Sequence, residues 1–164
     1  VELEDGIAPK DKAEARQKAL SLFDKPHSDD GIERIVRINS MRERFGIEDV
    51  SAILSTKTPP PALMMPKVRS PDEVIMLDQL LSEAGHDTRL HVIIETNEGL
   101  EAAYEIAHSS NRMDALFFGA IDMARVRAFY NLAVEAGILE AGSVDVSKVA
   151  TAQFVNKKVG MDLK

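Results

Sequence analysis

Acidic and basic side chains recur where the short apolar runs of this sequence end. The runs are Val1 to Asp5, Glu33 to Asn39, Ala62 to Lys67, Leu90 to Thr96 and Asp114 to Asp122. Their ends carry Glu4, Asp5, Arg37, Asn39, Lys67, Glu95 and Asp122. In a parallel β/α sheet the strand cores are buried, and the carboxyl ends of the strands meet on one face, where ligands bind. The sequence therefore predicts a polar binding site built from the ends of successive strands.

Two of these carboxylates suit a divalent metal ion. Glu95 and Asp122 follow apolar strand cores, and two carboxylates at neighbouring strand ends form the oxygen-rich site that Mg²⁺ prefers. A bound ion of this kind would polarise a carbonyl group and stabilise an enolate. The alternative for each acid taken alone is a helix cap or a solvated loop residue.

The basic and small residues beside these acids suit an anionic substrate. Arg37 offers a planar fork of donors that matches a carboxylate, and Gly119 allows backbone or ligand to approach closely. Lys67 has two interpretations: a cation that faces substrate, or a structural partner of Glu4 or Asp5. These groups predict a site for a small molecule that carries a carboxylate.

The segments between the runs predict the helices that position these ends. Lys10 to Phe23, Ile47 to Leu54 and Leu100 to Ala107 have helical composition. Ser70-Pro71-Asp72-Glu73 is a capping box that opens a helix ended by Gly85. Strands that alternate with helices at this spacing predict a parallel α/β sheet of about five strands. Beyond them, Arg125 to Gly137 predicts another helix, and Ser143 to Lys164 predicts a loop and a short helix.

Composition narrows the class of protein. The chain has 164 residues and a formal net charge of −7, which favours one domain and argues against nucleic acid or an anionic membrane as a partner. The absence of cysteine excludes disulfides and thiolate chemistry. The sequence lacks an apolar stretch of the roughly 20 residues that a membrane-spanning helix needs. We therefore predict a soluble, cytoplasmic protein, and we expect its scattered histidines to be structural or solvent-facing.

Five stretches in the same order resemble the citrate lyase β-subunit family, which includes the malyl-CoA lyases and is related to metal-dependent 2-keto-acid aldolases. The stretches are Leu3 to Pro9 with Lys12, Ala15 and Arg16; Arg37 to Ser40; Met65 to Val68 with Ser70 and Pro71; Ile93 to Thr96 with Gly99 and Leu100; and Phe118 to Ala120 with Asp122. The resemblance covers residues 1–124. The tail from Val126 to Leu163 weakly resembles the carboxyl-terminal end of a periplasmic solute-binding protein.

The resemblance implies a TIM barrel and an enzyme that cleaves or forms a carbon–carbon bond between a keto acid and an acyl-CoA enolate. It implies that Glu95 and Asp122 hold Mg²⁺ and that Arg37 binds the keto-acid carboxylate. For this chain we predict that the catalytic groups are Arg37, Glu4 and Asp5. We predict that the substrate contacts Arg37, Asn39, Lys67, Gly119 and Ala120.

The predicted organisation is a partial barrel over residues 1–124, followed by a helical tail over 125–164. Ile121 stands where the family often has glutamate, and we expect the first strand to begin before Val1. Because five strands cannot close an eight-stranded barrel, we expect a homo-oligomer and leave catalytic turnover open. The alternatives are a non-catalytic module that binds metal and keto acid, and a fragment of a solute-binding protein.

Overall fold

The computed structural model describes residues 1–24 and 32–119. The chain divides into two compact units, Val1–Leu116 and Phe117–Lys164, and within the second unit residues 117–119 are described. The helices predicted after Ala124 lie outside the described residues, so they stay predictions.

The described strands form a four-stranded sheet. Its members are β1 (Ile35–Arg37), β2 (Ala62–Met65), β3 (Arg89–Ile94) and β4 (Met113–Phe118), and they lie side by side in that order. β2 pairs in parallel with both β1 and β3. The predicted α/β class is confirmed. The predicted first strand differs, because Val1 to Asp5 contributes a single parallel bridge, between Glu2 and Arg37.

Helices follow the strands as the sequence predicts, with shifted ends, and the single helix predicted from Leu100 to Ala107 is replaced by two short helices. A short 3₁₀ helix (Pro9–Asp11) leads into α1 (Lys12–Ser21); the others are α2 (Arg44–Ser55), α3 (Pro71–Glu83), α4 (Asn97–Glu101) and α5 (Ala103–Ala107). The capping box of Ser70 and Glu73 is present at the start of α3. Gly85 ends this helix with a φ of 73°, a value that glycine adopts without steric cost.

The sheet has one face against the helices and a second face that carries the polar groups. On β3, Leu90, Val92 and Ile94 belong to the hydrophobic core and are at most 2% exposed. Successive strand residues point to opposite faces, so His91, Ile93 and the following Glu95 share the other face. Val36 of β1 and Leu63 of β2 extend the core, since both are fully buried.

Among the described helices, we find none with the length and apolar character needed to cross a membrane.

Candidate functional site

Glu4 lies between two cations at the carboxyl ends of the strands. Its Oε2 is 3.2 Å from Nη1 of Arg37, and its Oε1 is 2.5 Å from Nζ of Lys67. The side chain of Glu4 is only 4% exposed, whereas Asp5, which also pairs with Lys67 at 3.3 Å, is 70% exposed. The structure therefore brings together residues from the amino-terminal segment, β1 and the turn after β2.

Lys67 occupies this place through an unusual backbone conformation. Its φ is 55°, in the left-handed region that side chains other than glycine rarely adopt. In this conformation its backbone N–H donates to Oε1 of Glu95 at 2.9 Å, while its ammonium group reaches Glu4. The next residue, Val68, accepts a hydrogen bond from Thr96 Oγ1 at 3.1 Å. The turn after β2 is thus attached to the end of β3, where Glu95 lies.

The carboxylates hold both cations in their charged forms. Partial burial by itself would lower the pKa of Lys67, but the hydrogen bonds and charges of Glu4 and Asp5 raise this pKa well above its ordinary value. Burial likewise opposes the charge of Arg37, while Glu2, Glu4 and Asp5 together raise its pKa above the usual value. Both groups therefore stay charged, and the acids that raise their pKa values also offset their positive charge.

A buried network of hydrogen bonds holds the amino-terminal segment that carries Glu4. Lys12 at the start of α1 is 7% exposed. Its Nζ donates to the carbonyl oxygens of Leu3 and Glu4 at 2.8 and 2.7 Å, and to Oδ1 of Asn39 at 2.6 Å. Burying a charged ammonium group without hydrogen-bond partners is costly. Here the three acceptors replace the water molecules that the group loses on burial. Lys12 therefore ties the segment that carries Glu4 to the end of β1.

Asp49 of α2 completes this network from the opposite side. Its Oδ2 accepts from the backbone N–H of Asn39 at 2.9 Å and from Nδ2 of Asn39 at 2.6 Å. Its Oδ1 accepts from Nε of Arg16 at 2.6 Å. Asp49 is 1% exposed, so its charge is balanced by Arg16 of α1 and by these two N–H donors.

The structure groups most of the predicted site residues and places others elsewhere. Glu4, Asp5, Arg37, Lys67 and Glu95 form the connected set described above. Asn39 follows β1, but it is 2% exposed and its amide bonds to Leu3, Lys12 and Asp49, so its contact with substrate stays a prediction. Gly119 directly follows β4. Ala120 and Asp122 lie outside the described residues.

Sequence reasoning missed Glu2 and Lys12. Oε2 of Glu2 lies 2.7 Å from Nε of Arg37, and Oε1 of Glu2 accepts the backbone N–H of Glu4. A signal for Glu2 existed, because residues two apart in extended chain share a face. For Lys12 the only signal was its place in the motif that follows Glu4, since an isolated lysine at a helix start ordinarily lies in solvent.

A second polar cluster lies toward the amino ends of the strands. Ligand atoms of Glu33, His91 and Asp114 are within 4.8 Å of one another, close enough to hold a metal ion. However, the guanidinium of Arg89 pairs with Asp114 at 2.9 Å and also with Glu33, and His91 Nε2 is 3.1 Å from Asp114 Oδ2. Arg89 thus offsets one of the two negative charges of this cluster, and the cluster is distinct from the Glu95 site predicted at the carboxyl ends.

Comparison with known proteins identifies relatives for most of the chain. The family model HpcH/HpaI aldolase/citrate lyase matches residues 1–151, a range that includes much of the tail compared above with a solute-binding protein. The citrate lyase subunit beta of Haemophilus influenzae is 29% identical over 76% of this chain and 44% of that protein. The L-malyl-CoA/beta-methylmalyl-CoA lyase of Rhodobacter capsulatus is 33% identical over 76% of this chain and 41% of that enzyme.

Solved structures agree with this result. The crystal structure of RipC from Yersinia pestis has a TM-score of 0.68 and 39% identity, over 78% of this chain and 54% of that chain. A citrate lyase from Burkholderia xenovorans has a TM-score of 0.67 at 23% identity, a likeness that supports the fold alone. The chain spans less than half the length of the curated relatives named above. With the family model covering all of the described residues, this chain belongs to the HpcH/HpaI aldolase/citrate lyase family.

Proposed function

We propose that this chain carries the metal and keto-acid site of a Mg²⁺-dependent carbon–carbon lyase or aldolase that acts on a 2-keto acid and an acyl-CoA. The observation that supports the proposal is the meeting of Arg37, Lys67, Glu4, Asp5 and Glu95 at the carboxyl ends of successive strands. An acidic protein repels anions at long range, so recognition of a carboxylate needs direct hydrogen bonds, which Arg37 and Lys67 can donate once a ligand displaces one of their acids.

The donor set fits a hard divalent cation. Glu95 follows a buried strand, and one of its oxygens accepts a backbone N–H from Lys67 at 2.9 Å. Carboxylates that ligate metals are commonly oriented by such hydrogen bonds. Glu95 would hold Mg²⁺ together with Asp122, and the bound ion would polarise the carbonyl of the keto acid.

The remaining groups have separable tasks in this proposal. Arg37 binds the carboxylate of the keto acid through its planar fork of donors. Glu4, buried between the two cations, orients them, and Asp5, the exposed acid, is positioned to exchange a proton with a ligand. Small keto acids such as pyruvate, glyoxylate and oxaloacetate fit this arrangement of charges.

Calorimetry with the 164-residue chain tests the proposal. We expect pyruvate to release heat of binding when Mg²⁺ is present and to bind much more weakly without it. Glu95→Gln and Asp122→Ala should each abolish the effect of Mg²⁺. Glu101→Gln, which removes one exposed acid from α4, is the matched control and should bind as the parent chain does. Unchanged Mg²⁺-dependent affinity in Glu95→Gln would contradict the metal assignment.

Turnover is tested separately, because the chain spans less than half the length of its curated relatives. A coupled assay for cleavage of malyl-CoA is expected to give product if the proposed lyase activity resides in this chain. Binding of pyruvate and Mg²⁺ without any product would instead favour the second candidate, a non-catalytic binding module. Light scattering of the purified chain tests the predicted homo-oligomer.

A further inference from the structure

The carboxylate of Glu2 already pairs with Arg37, the cation that a ligand carboxylate needs. Its Oε2 lies 2.7 Å from Nε of Arg37, and its Oε1 accepts the backbone N–H of Glu4. The backbone fixes this position, since Leu3 N donates to Arg37 O at 2.9 Å and Arg37 N donates to Val1 O at 2.8 Å. Glu2 is thus held opposite Arg37 by the parallel bridge between the two residues.

The two acids on Arg37 differ in how easily they can leave it. Glu4 is 4% exposed and is also paired with Lys67, so moving it would bury an unpaired charge, which is costly. Glu2 is 35% exposed and can be rehydrated where it lies. An open cavity of about 540 Å³ is lined by Glu2 and Arg37, whereas Glu4 and Lys67 do not line it. A ligand in this cavity therefore meets Glu2 as the displaceable partner of Arg37.

We infer that Glu2 is an internal competitor that lowers the affinity of Arg37 for external carboxylates, an inference that rests on the proposed role of Arg37 in keto-acid recognition. Because Glu4 already faces Nη1 of Arg37, a ligand carboxylate is left with the edge formed by Nε and Nη2, and it can form a two-pronged pair there only after Glu2 has left Nε. Ligands that offer a carboxylate in the right place overcome this competition, and neutral molecules gain nothing by displacing Glu2. Glu2 thereby lowers the affinity of Arg37 for every external carboxylate, so a carboxylate ligand needs further contacts in the site to bind well.

The rate at which phenylglyoxal modifies Arg37 provides the test, with peptide mapping to read this one arginine. The variants are Glu2→Gln and, as the matched control, Glu14→Gln, which removes an exposed acid paired with Lys18 on α1. A partly exposed ion pair changes an equilibrium by about two- to fivefold. We expect Glu2→Gln to raise the modification rate of Arg37. We also expect it to lower the pyruvate concentration that halves this rate by about two- to fivefold. Glu14→Gln should have the same modification rate and the same half-protecting pyruvate concentration as the parent chain.

The measurement is made without metal, so that it is independent of the Mg²⁺ site. Equal half-protecting concentrations in the parent chain and Glu2→Gln would overturn the inference. An Arg37 that pyruvate protects in neither protein, with or without Mg²⁺, would instead contradict the proposed role of Arg37 in keto-acid binding. Failure of the proposed function has a different result, which is the absence of any effect of Mg²⁺ on pyruvate binding. A Glu2→Ala variant, with the same direction of change expected, excludes an effect peculiar to the glutamine side chain.

Discussion

Replacing Asp49 with asparagine tests whether the buried network supports the site. Three N–H groups face this carboxylate, namely the backbone and side-chain amides of Asn39 and Nε of Arg16, at 2.6 to 2.9 Å. Asparagine keeps the shape but has one acceptor oxygen, and its NH₂ group must then face one of these donors. Asp49→Asn therefore replaces an attractive contact by a donor–donor contact in a site that is 1% exposed.

The expected loss follows from the burial and the partners. Removing one member of a buried ion pair costs about 3–5 kcal/mol. In Asp49→Asn, Arg16 still pairs with Glu48 at 3.1 Å, so its charge is not left unpaired. We therefore expect a loss at the lower end of this range, about 3 kcal/mol in free energy of unfolding. Glu48→Gln is the control, because it removes an acid from the same arginine where that acid is 39% exposed. It should cost less than about 1 kcal/mol.

Urea denaturation followed by circular dichroism gives both values by linear extrapolation. Our reasoning would be refuted if Asp49→Asn were destabilised no more than Glu48→Gln. The same variant should also weaken pyruvate binding, since Asn39 and Lys12 hold the segment that carries Glu4. A variant that loses stability while keeping full pyruvate affinity would separate the network from the site.

Three further substitutions have defined outcomes. Gly46→Ala should destabilise the chain by about 3 kcal/mol or more, measured by urea denaturation, because a Cβ there would lie 2.0 Å from the carbonyl oxygen of Ser40. The free energy of unfolding of Lys67→Gly should be about 1 kcal/mol higher than that of Lys67→Ala. Both variants lose the ion pairs of Lys67, but only alanine retains the cost of a left-handed backbone. The reverse order would contradict the assigned φ. Asp78 has a lowered pKa, since the hydrogen bonds of Ser110 and Arg112 and the charge of Arg112 outweigh burial, which opposes ionisation. Asp78 therefore stabilises the fold above the pKa of the unfolded aspartate, about 3.9, and this contribution disappears as pH falls through the lower, folded value. Asp78→Asn should accordingly cost about 0.5–1 kcal/mol at pH 7, and the difference from the parent chain should shrink below pH 4; a difference independent of pH would refute this assignment.

The strands and the start of α3 could be predicted because their signals are local. An apolar run such as Val92-Ile93-Ile94 and the pair of Ser70 and Glu73 determine structure through neighbours in sequence. The ends of the strands then follow from topology, and this is why Glu4, Arg37 and Lys67 were named together. The ion-pair alternative for Lys67 is present in the structure, with Glu4 and Asp5 both as partners.

The remaining features depend on contacts between distant segments. Asp49 looks like a solvated acid on a helix, and only the arrival of Asn39 and Arg16 makes it a buried charge. The close approach of Ser40 leaves no space for a side chain at position 46, so α2 includes Gly46 although glycine disfavours a helix by intrinsic propensity. The predicted helix start at Ile47 was late for this reason.

The alternation of faces on β3 separates the packing of the hydrophobic core from the charge of the polar face. Leu90, Val92 and Ile94 pack against the helices and contribute to the hydrophobic core, while His91 and Glu95 face the other way. We therefore expect substitutions at 91 or 95 to change the charge of that face and to leave the helix contacts of this strand intact. One short strand thus divides its residues between the packing of the scaffold and the charge of the polar face.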